Sequence, residues 1–366
     1  MRDAAKADFL KAAGWGDATV TPLAGDASTR RYARLRQGGA SAMLMDQPQS
    51  AEAPTAPASA TPDQRRALGY NAVARLAGAD TGRFVAVANH LRAAGLGAPE
   101  ILAADTAQGF VLLEDLGDGL FADVLAARAA NESELYRAAA AVLARLHAAP
   151  APATIGPDMP LFAYDDTALL AETGLLTQWF LPLALGRAAT PGEAEDHHGL
   201  WHTALAALTQ TTPVFVHRDY HAQNLLWLPA RQGTRRVGLI DFQDAVAGSP
   251  AYDLVSLIED ARRDVAEDVA AQTTAHYLAA LRAQGTTLDE TAFRRDMAVM
   301  AAQRNAKIAG IFARLHVRDG KARYLALLPR VWGHLARDLA HPALADLRAW
   351  YDQVIPPHRR TISEKT

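Results

Sequence analysis

The sequence predicts an α+β protein with two lobes, a small β-rich N-terminal lobe and a larger helical C-terminal lobe. Short apolar or alternating runs come before residue 114, and longer Ala-rich stretches with helical spacing follow from Leu120 onward. Two strand-like runs interrupt the helical half, at Leu225–Leu228 and Val237–Ile240. The polar segment between them contains a glycine, so the pair predicts a β-hairpin. We place the lobes at residues 1–114 and 115–366.

The N-terminal lobe contains predicted elements in a definite order. The patterns predict a helix at 2–13, strands at 19–23, 29–35 and 41–46, a helix at 84–94, and strands at 101–104 and 110–113. The turn Gly25-Asp-Ala-Ser28 joins the first two strands. The segment 47–64, rich in Pro, Ala, Ser and Thr, predicts a mobile surface loop. The second helix contains no acidic residue and ends at Gly95.

The C-terminal lobe is predicted to be mainly helical. Helical periodicity marks residues 135–147, 166–179, 193–209, 250–262 and 288–315. The last of these stretches is rich in Ala, Met and Ile but also contains Gln303, Arg304, Asn305 and Lys307. Buried polar groups need partners, so this set predicts either structural hydrogen bonds or a site for sugar hydroxyl groups.

Composition and charge restrict the class of protein. The chain has 366 residues, of which 50% are hydrophobic, so it can bury a substantial core. Its formal net charge of -3 gives no electrostatic reason to expect nucleic acid as a partner. The absence of cysteine excludes disulfides and thiolate metal sites. Because no signal peptide and no apolar run of about 18 residues is recognisable, we expect a cytoplasmic protein without membrane association. The sequence leaves the oligomeric state open.

The candidate chemistry lies around the predicted hairpin. Asp219 and Asn224 stand five residues apart before its first strand, and Asp241 follows its second strand. Carboxylate and amide oxygens suit a hard cation such as Mg²⁺, so Asn224 and Asp241 are the candidate metal ligands. Asp219 is then left to accept a hydrogen bond from a substrate hydroxyl and to take its proton. We assign His217 to the catalytic set as well, as the histidine that shapes this loop.

Two other interpretations of this segment are open. An Asp-x4-Asn spacing on its own is common turn chemistry in loops. His217 and His221 would share one face of a helix and, with Asp219 between them, could hold zinc. The apolar runs on either side, Val214-Phe-Val and Leu225-Leu-Trp-Leu, favour strands and a loop over a helix. They therefore argue against zinc.

The same residues resemble known motifs. The run His217-Arg-Asp219-x4-Asn224, followed by Ile-Asp241-Phe, resembles the catalytic loop and metal motif of protein-kinase-like phosphotransferases. With Gln243 in the place of glycine, it is similar to the aminoglycoside phosphotransferase and choline kinase superfamily. Within it, further runs resemble the anomeric N-acetylmuramate/N-acetylglucosamine kinases of cell-wall recycling. These runs are Gly25-Asp-Ala-Ser-Thr-Arg-Arg-Tyr32, Leu44-Met-Asp46, Leu113-Glu-Asp-Leu-Gly117, Gly310-Ile-Phe-Ala-Arg-Leu315 and Arg318-Asp-Gly-Lys321.

The resemblance implies a bilobed kinase-like fold that uses ATP and Mg²⁺. It implies that the turn after Leu23 covers the nucleotide phosphates, that the run 113–117 is the hinge for adenine, and that Asp253 braces the catalytic loop. No lysine occurs between Lys11 and Lys307, so the family's third-strand lysine is missing and another positive charge has to replace it. The predicted nucleotide contacts are Gly25, Ser28, Arg30, Arg31, Glu114 and Leu116.

The resemblance also implies a small-molecule sugar as the acceptor, phosphorylated on its 1-hydroxyl. Arg304, Lys307 and Arg314 form a basic set that suits the lactyl carboxylate of N-acetylmuramate. An aminoglycoside or choline-type phosphotransferase is the alternative enzyme. A nucleotide-binding pseudokinase is the alternative without turnover, because both the lysine and its partner acid are missing. The predicted acceptor contacts are His221, Asp244, Arg304, Asn305, Lys307 and Arg314.

Overall fold

The computed structural model describes residues 2–23, 30–48, 56–57, 59–75, 80–157, 159–209 and 212–362. The chain forms two compact units. The first unit comprises Met1–Val142, Pro152–Phe162 and Ala222–Val246, and the second comprises Leu143–Ala151, Ala163–His221 and Ala247–Thr366. The first unit therefore takes up the hairpin segment from far along the chain. The predicted lobe boundary at residue 114 was drawn from the order of sequence motifs, whereas these units are defined by contacts. The boundary therefore stays a prediction.

The described residues form the following strands and helices. The strands are β1 (Thr19–Pro22), β2 (Arg31–Gln37), β3 (Ala40–Asp46), β4 (Ile101–Asp105), β5 (Phe110–Glu114), β6 (Thr154–Gly156), β7 (Met159–Pro160), β8 (Val214–Val216), β9 (Leu225–Trp227), β10 (Val237–Leu239) and β11 (Val246–Gly248). The helices are α1 (Arg2–Ala12), α2 (Pro62–Leu68), α3 (Thr81–Ala93), α4 (Phe121–Ala126), α5 (Glu132–His147), α6 (Asp166–Leu175), α7 (Leu181–Leu185), α8 (Pro191–Ala206), α9 (Ala251–Ile258), α10 (Glu267–Ala283), α11 (Glu290–Asp319), α12 (Leu328–Asp338) and α13 (Ala345–Val354).

A five-stranded antiparallel sheet is the framework of the first unit. Its strand order is β1-β2-β3-β5-β4. Gly38 and Gly39 form the two-residue turn between β2 and β3, with φ values of 56° and 84°. A two-residue hairpin turn favours positive φ at both positions, which glycine adopts without strain. The sheet confirms the predicted β-rich N-terminal region.

Helix α1 covers one face of this sheet. Its Leu10 packs in a buried cluster with Leu35 of β2, Leu44 of β3 and Leu112 of β5. Alternation along each strand turns these side chains to the same face. Full burial of a leucine side chain contributes about 1.5–3 kcal/mol, so this cluster fixes α1 on the sheet.

The hairpin at the predicted catalytic segment is confirmed. Strands β9 and β10 pair antiparallel, with Val237 opposite Trp227 and Leu239 opposite Leu225. Residues 49–55 and 58 of the predicted loop 47–64 lie outside the described residues. The last residues of the predicted loop belong to a helix instead. Thr61 caps helix α2, and its side chain accepts a hydrogen bond from the backbone N–H of Gln64.

Helix α11 is the central element of the second unit. It is 30 residues long and packs against α6, α9 and α12. Gly310 lies where α11 meets the turn Leu176–Phe180, and a Cβ atom there would lie 2.4 Å from the carbonyl carbon of Leu175. A side chain at this position would force the backbones apart. The long helix therefore requires glycine at this crossing.

One helical stretch of the second unit is notably apolar. Asp166–Leu185 is long and apolar enough to cross a membrane by length and composition, but 50% of that window is buried inside the protein. Its first part, α6, packs against α8 and α11. Core packing of this kind accounts for the apolar composition.

Two buried histidines of the second unit are neutral in the folded protein. Nδ1 of His147 lies 2.8 Å from the hydroxyl of Tyr277, and Nε2 of His197 accepts a hydrogen bond from Nε1 of Trp201 at 3.0 Å. Burial lowers the pKa of each imidazole to about 3. Protonation of either ring would place a charge in the core.

Acidification from pH 8 to pH 5 is expected to destabilise the protein by about 4 kcal/mol through these two groups, about 2 kcal/mol each. The folded-state pKa of each histidine is depressed, so the unfolded state binds the additional protons as the pH falls below about 6.5. Thermal unfolding between these pH values measures the effect. His197→Gln should remove half of it, whereas His198→Gln, at an exposed position of the same helix, should leave it intact. An unchanged pH dependence in His197→Gln would contradict the prediction.

Candidate active site

The hairpin brings Asn224 and Asp241 to the same end of one element. Asn224 directly precedes β9, Asp241 follows β10 by two residues, and the N–H of Ile240 donates to the carbonyl of Asn224 at 3.2 Å. Both side chains are partly exposed. Asp241 has a φ of 60°, which is uncommon for a residue other than glycine and is typical of functional segments. The two predicted metal ligands therefore come from one rigid hairpin.

A buried arginine provides a cation beside Asp241. Arg30, the residue before β2, is 7% exposed, and its Nη1 lies 3.2 Å from Oδ1 of Asp241. Arg31 begins β2 and is exposed, and Nε of Arg34 lies 2.8 Å from Asp115. Among the three arginines that follow the predicted phosphate turn, Arg30 is thus the one that contacts Asp241.

The other predicted nucleotide contacts lie at the phosphate turn and the hinge. Gly25 and Ser28 lie outside the described residues. Glu114 ends β5, its N–H donates to the carbonyl of Glu100 at 2.8 Å, and its carboxylate pairs with Arg231. Leu116 is partly exposed. The hinge assignment stays a prediction, and any hinge N–H for adenine has to come from a residue after Glu114.

Helix α3 holds the segment that follows Asp241. Arg83 in its first turn is 1% exposed and donates to the carbonyls of Gln243 at 3.3 Å, Ala245 at 2.9 Å and Pro160 at 2.8 Å. These hydrogen bonds fix the backbone just after Asp241, the predicted metal ligand. The sequence analysis missed Arg83, since the predicted helix began one residue later and nothing local distinguishes a buried arginine from a solvated one.

The first part of the predicted catalytic loop, which belongs to the second unit, is fixed through its backbone. The carboxylate of Asp253 accepts hydrogen bonds from the N–H groups of His217 at 2.6 Å and Arg218 at 2.9 Å. Arg218 has a φ of 75°, a conformation that costs about 1–3 kcal/mol and persists only where the surroundings impose it. His217 is fully buried and shapes the loop from inside. The geometry agrees with the brace expected of Asp253 and leaves Asp219 partly exposed.

Asp219 is ionised at neutral pH. Burial acts to raise its pKa, but the positive charges around it, first that of Lys307 and also that of Arg218, outweigh this and lower the pKa to about 2. An ionised carboxylate can accept a hydroxyl proton. A base this weak suits a loose, dissociative phosphoryl transfer, in which little charge develops on the attacking oxygen before the proton moves.

The polar residues of α11 have protein partners. Nη1 of Arg304 donates to the carbonyl of Glu259 at 3.2 Å, and Nδ2 of Asn305 donates to the carboxylates of Glu259 at 2.7 Å and Asp338 at 2.9 Å. Burial and the negative charge of Glu259 raise the pKa of Asp338 well above its usual range. Structural hydrogen bonding, one of the two interpretations of this set, is therefore present. Sugar contacts by Arg304 and Asn305 stay predictions.

The remaining predicted acceptor contacts are scattered. His221 is 6% exposed, and burial lowers its pKa to about 4, so its imidazole is neutral. Asp244 belongs to the first unit, on the segment after Asp241. Arg314 lies ten residues beyond Arg304 on α11, about 15 Å along the helix axis. The proposed basic set is therefore spread along the helix rather than gathered at one point.

Phosphoryl transfer mainly requires positioned oxygen ligands for a metal ion, cations near the phosphates, and a carboxylate that orients the attacking hydroxyl. The side chains described above are of these kinds, and the chain that carries them is an antiparallel sheet followed by a mainly helical region. Fold and site together define a kinase-like phosphotransferase. The model of the APH phosphotransferase enzyme family matches residues 19–293, three quarters of the chain, and the protein belongs to this family.

Relatives in three bacteria cover almost the whole chain and share one name. The N-acetylmuramate/N-acetylglucosamine kinase of Caulobacter vibrioides is 46% identical over 365 residues, 98% of each chain. Those of Pseudomonas aeruginosa and Pseudomonas putida are 31% and 30% identical over 94% and 93% of this chain, and 92% and 90% of their own. The resemblance found in the sequence motifs is thereby confirmed.

Solved structures show the same fold at low sequence identity. A choline/ethanolamine kinase family protein from Mesorhizobium loti has a TM-score of 0.55 at 16% identity, covering 96% of this chain and 100% of that one. An ADP-bound aminoglycoside phosphotransferase has a TM-score of 0.51 at 15% identity, covering 90% and 94%. The predicted kinase-like α+β fold is confirmed.

Proposed function

We propose that the protein transfers the γ-phosphoryl group of ATP to the anomeric 1-hydroxyl of N-acetylmuramate or N-acetylglucosamine, a step of cell-wall recycling in the cytoplasm. The observation that carries this proposal is the 46% identity, over 98% of the chain, with a kinase named for these two sugars. Membership of the phosphotransferase family supports a nucleotide as the phosphoryl donor.

Asp219 is the base in the proposed reaction. The sugar hydroxyl donates a hydrogen bond to its carboxylate, and the hydroxyl oxygen then forms a bond to the γ-phosphorus. The bond between that phosphorus and the bridging oxygen breaks, and ADP leaves with the electron pair. The hydroxyl proton passes to Asp219. The low pKa of Asp219 supports this assignment, because the carboxylate is unprotonated and can take a proton.

Arg30 is the cation that replaces the missing lysine in this proposal. It is buried beside Asp241, directly after the turn that the family uses to cover the phosphates. A guanidinium has five N–H donors, so Arg30 can keep its contact with Asp241 and still donate to phosphate oxygens. This location supports Arg30 over Arg31 as the main phosphate contact.

Asn224 and Asp241 would hold the Mg²⁺ ion. The donor set fits, because the two side chains supply an amide and a carboxylate oxygen and both are partly exposed. Within the described residues no group of three or more His, Cys, Asp or Glu side chains could hold a metal. Mg²⁺ commonly takes its remaining ligands from water and nucleotide phosphates. When bound, the ion would neutralise charge on the transferred phosphoryl group.

A cationic acceptor is the second candidate. Glu259 and Asp338 place two carboxyl groups at Asn305, and a cluster of acids suits an aminoglycoside better than an acidic sugar. The raised pKa of Asp338 weakens this candidate, because burial and the charge of Glu259 disfavour the ionised form that would attract a cation. The amino sugar therefore remains our proposal.

The acceptor test compares kcat/KM for N-acetylmuramate, N-acetylglucosamine, glucose and kanamycin, measured as ADP release. We expect both N-acetylated sugars to exceed glucose and kanamycin by about a hundredfold or more, the range that a site built to hydrogen-bond a polar group can reach. Preference for kanamycin would favour the second candidate. Nucleotide binding without ADP release for any acceptor would favour a pseudokinase.

A further inference from the structure

A fully buried glutamate lies behind the catalytic loop. Glu172, on α6, is 0% exposed. Its Oε1 lies 2.6 Å from Nη2 of Arg218 and 2.9 Å from Nζ of Lys307. Its Oε2 accepts hydrogen bonds from the hydroxyl of Tyr164 and from Nε2 of Gln303, the latter at 3.1 Å. One carboxylate thus joins three separate parts of the second unit.

The charges of this cluster are balanced only if Glu172 is ionised. Burial acts to raise its pKa, but the positive charges of Lys307 and Arg218 outweigh burial and lower the pKa. A buried ion is stable only with good partners and filled hydrogen bonds, and Glu172 has both. Without it, the two cations Arg218 and Lys307 would lose the carboxylate that both of them contact.

Arg218 links Glu172 to the proposed base, Asp219, through the chain. It immediately precedes Asp219, and its φ of 75° has to be imposed by its surroundings. Asp253 holds its backbone N–H at 2.9 Å, and Glu172 holds its guanidinium at 2.6 Å. The residue before the base is therefore fixed at both its backbone and its side-chain end.

Lys307 links Glu172 to the proposed base electrostatically, because its ammonium contacts Glu172 and lowers the pKa of Asp219. An ammonium group has three N–H donors. The ammonium of Lys307 lies 2.9 Å from the carboxylate of Glu172 and donates to the hydroxyls of Tyr252 at 3.3 Å and Tyr164 at 3.5 Å. It also acts on Asp219, whose pKa it lowers more than any other charge does. Lys307 thus belongs to the surroundings of the base rather than to a pocket for the lactyl carboxylate.

We infer that Glu172 is a positioning residue for phosphoryl transfer, which fixes Arg218 and Lys307 and through them the orientation and the electrostatic surroundings of Asp219. This inference rests on the proposed role of Asp219 as the base. It assigns Lys307 to the catalytic step, whereas the sequence pattern had placed it among the acceptor contacts. Glu172 itself touches no substrate.

The test compares Glu172→Gln, Lys307→Met and the double variant. In Glu172→Gln we expect kcat to fall by about 30- to 100-fold, as small displacements of a catalytic group cause. The KM values for ATP and sugar should change by less than about threefold, because binding groups are untouched. In the double variant the losses should not multiply, since both substitutions break the same contact.

Asp296→Asn is the matched control. Asp296 is also buried in the second unit, on α11, where it pairs with Arg295 at 3.3 Å and accepts the N–H of Thr209 at 3.1 Å. Its substitution should lower the unfolding temperature without changing kcat. If Glu172→Gln does not fold, Glu172→Asp keeps the charge, shortens the side chain by one methylene and should show the same selective loss of kcat.

Three results would overturn the inference. They are an unchanged kcat in a folded Glu172 variant, a loss that lies mainly in the KM for the sugar, and losses that multiply in the double variant. Failure of the proposed function is distinguishable, because it would show as absence of amino-sugar turnover in the unmodified protein.

Discussion

In Asp219→Asn, kcat is expected to fall by about a hundredfold or more, while ATP still binds with an affinity close to that of the unmodified protein. The amide matches the carboxylate in shape but cannot take the hydroxyl proton. ADP release measures turnover and calorimetric titration measures nucleotide affinity. The loss will be near the lower end of the range for general bases if the transition state is loose.

Thermal unfolding is the control for Asp219→Asn, because the carboxylate also takes part in the charge balance with Lys307 and Arg218. A folded variant that keeps near-normal kcat would remove Asp219 from the role of base. Loss of ATP binding together with turnover would indicate instead a disordered loop.

Arg30→Ala is expected to lower kcat/KM for ATP by about a hundredfold, on the order of 3 kcal/mol, the effect of losing two hydrogen bonds to a charged group. The reason is that, among the described residues 30–37, Arg30 is the buried cation that contacts Asp241. Arg30→Lys keeps the charge and should recover part of the loss. Steady-state kinetics at varied ATP gives the result.

Arg36→Ala is the control for Arg30, since Arg36 is an exposed arginine of the same strand. It should leave kcat/KM for ATP within about twofold of the unmodified value, as surface substitutions usually do. Equal effects of the two substitutions would mean that Arg30 has no special role at the phosphates.

Local patterns were sufficient to predict much of the fold. The apolar runs at 41–46 and 110–113 predicted two strands, and the polar, glycine-containing segment between Leu228 and Val237 predicted the hairpin. These signals are carried by residues close in sequence, whose spacing directly reflects strand geometry. The prediction of a catalytic loop rests on the same kind of local signal, namely the spacing of His217, Asp219 and Asn224.

The parts of the site that sequence reasoning missed depend on distant residues. Glu172 lies 46 residues from Arg218, and Arg83 lies 160 residues from Gln243. The residues next to Glu172 and Arg83 in the sequence give no indication of which distant residues these two side chains contact. The contacts of Lys307 with Glu172 and two tyrosines were missed for the same reason, because only the fold brings these residues together.

The first unit cannot finish folding during synthesis until its last segment, residues 222–246, has been made. Residues 222–246 belong to this unit but are made long after Met1–Val142. Arg83 bonds to carbonyls 160 and 162 residues later. A ribosome adding about 5–20 residues per second needs about 10–30 s to span that interval. Folding of this unit therefore ends after most of the chain has been synthesised. Until then its incomplete core is exposed to aggregation and to chaperones.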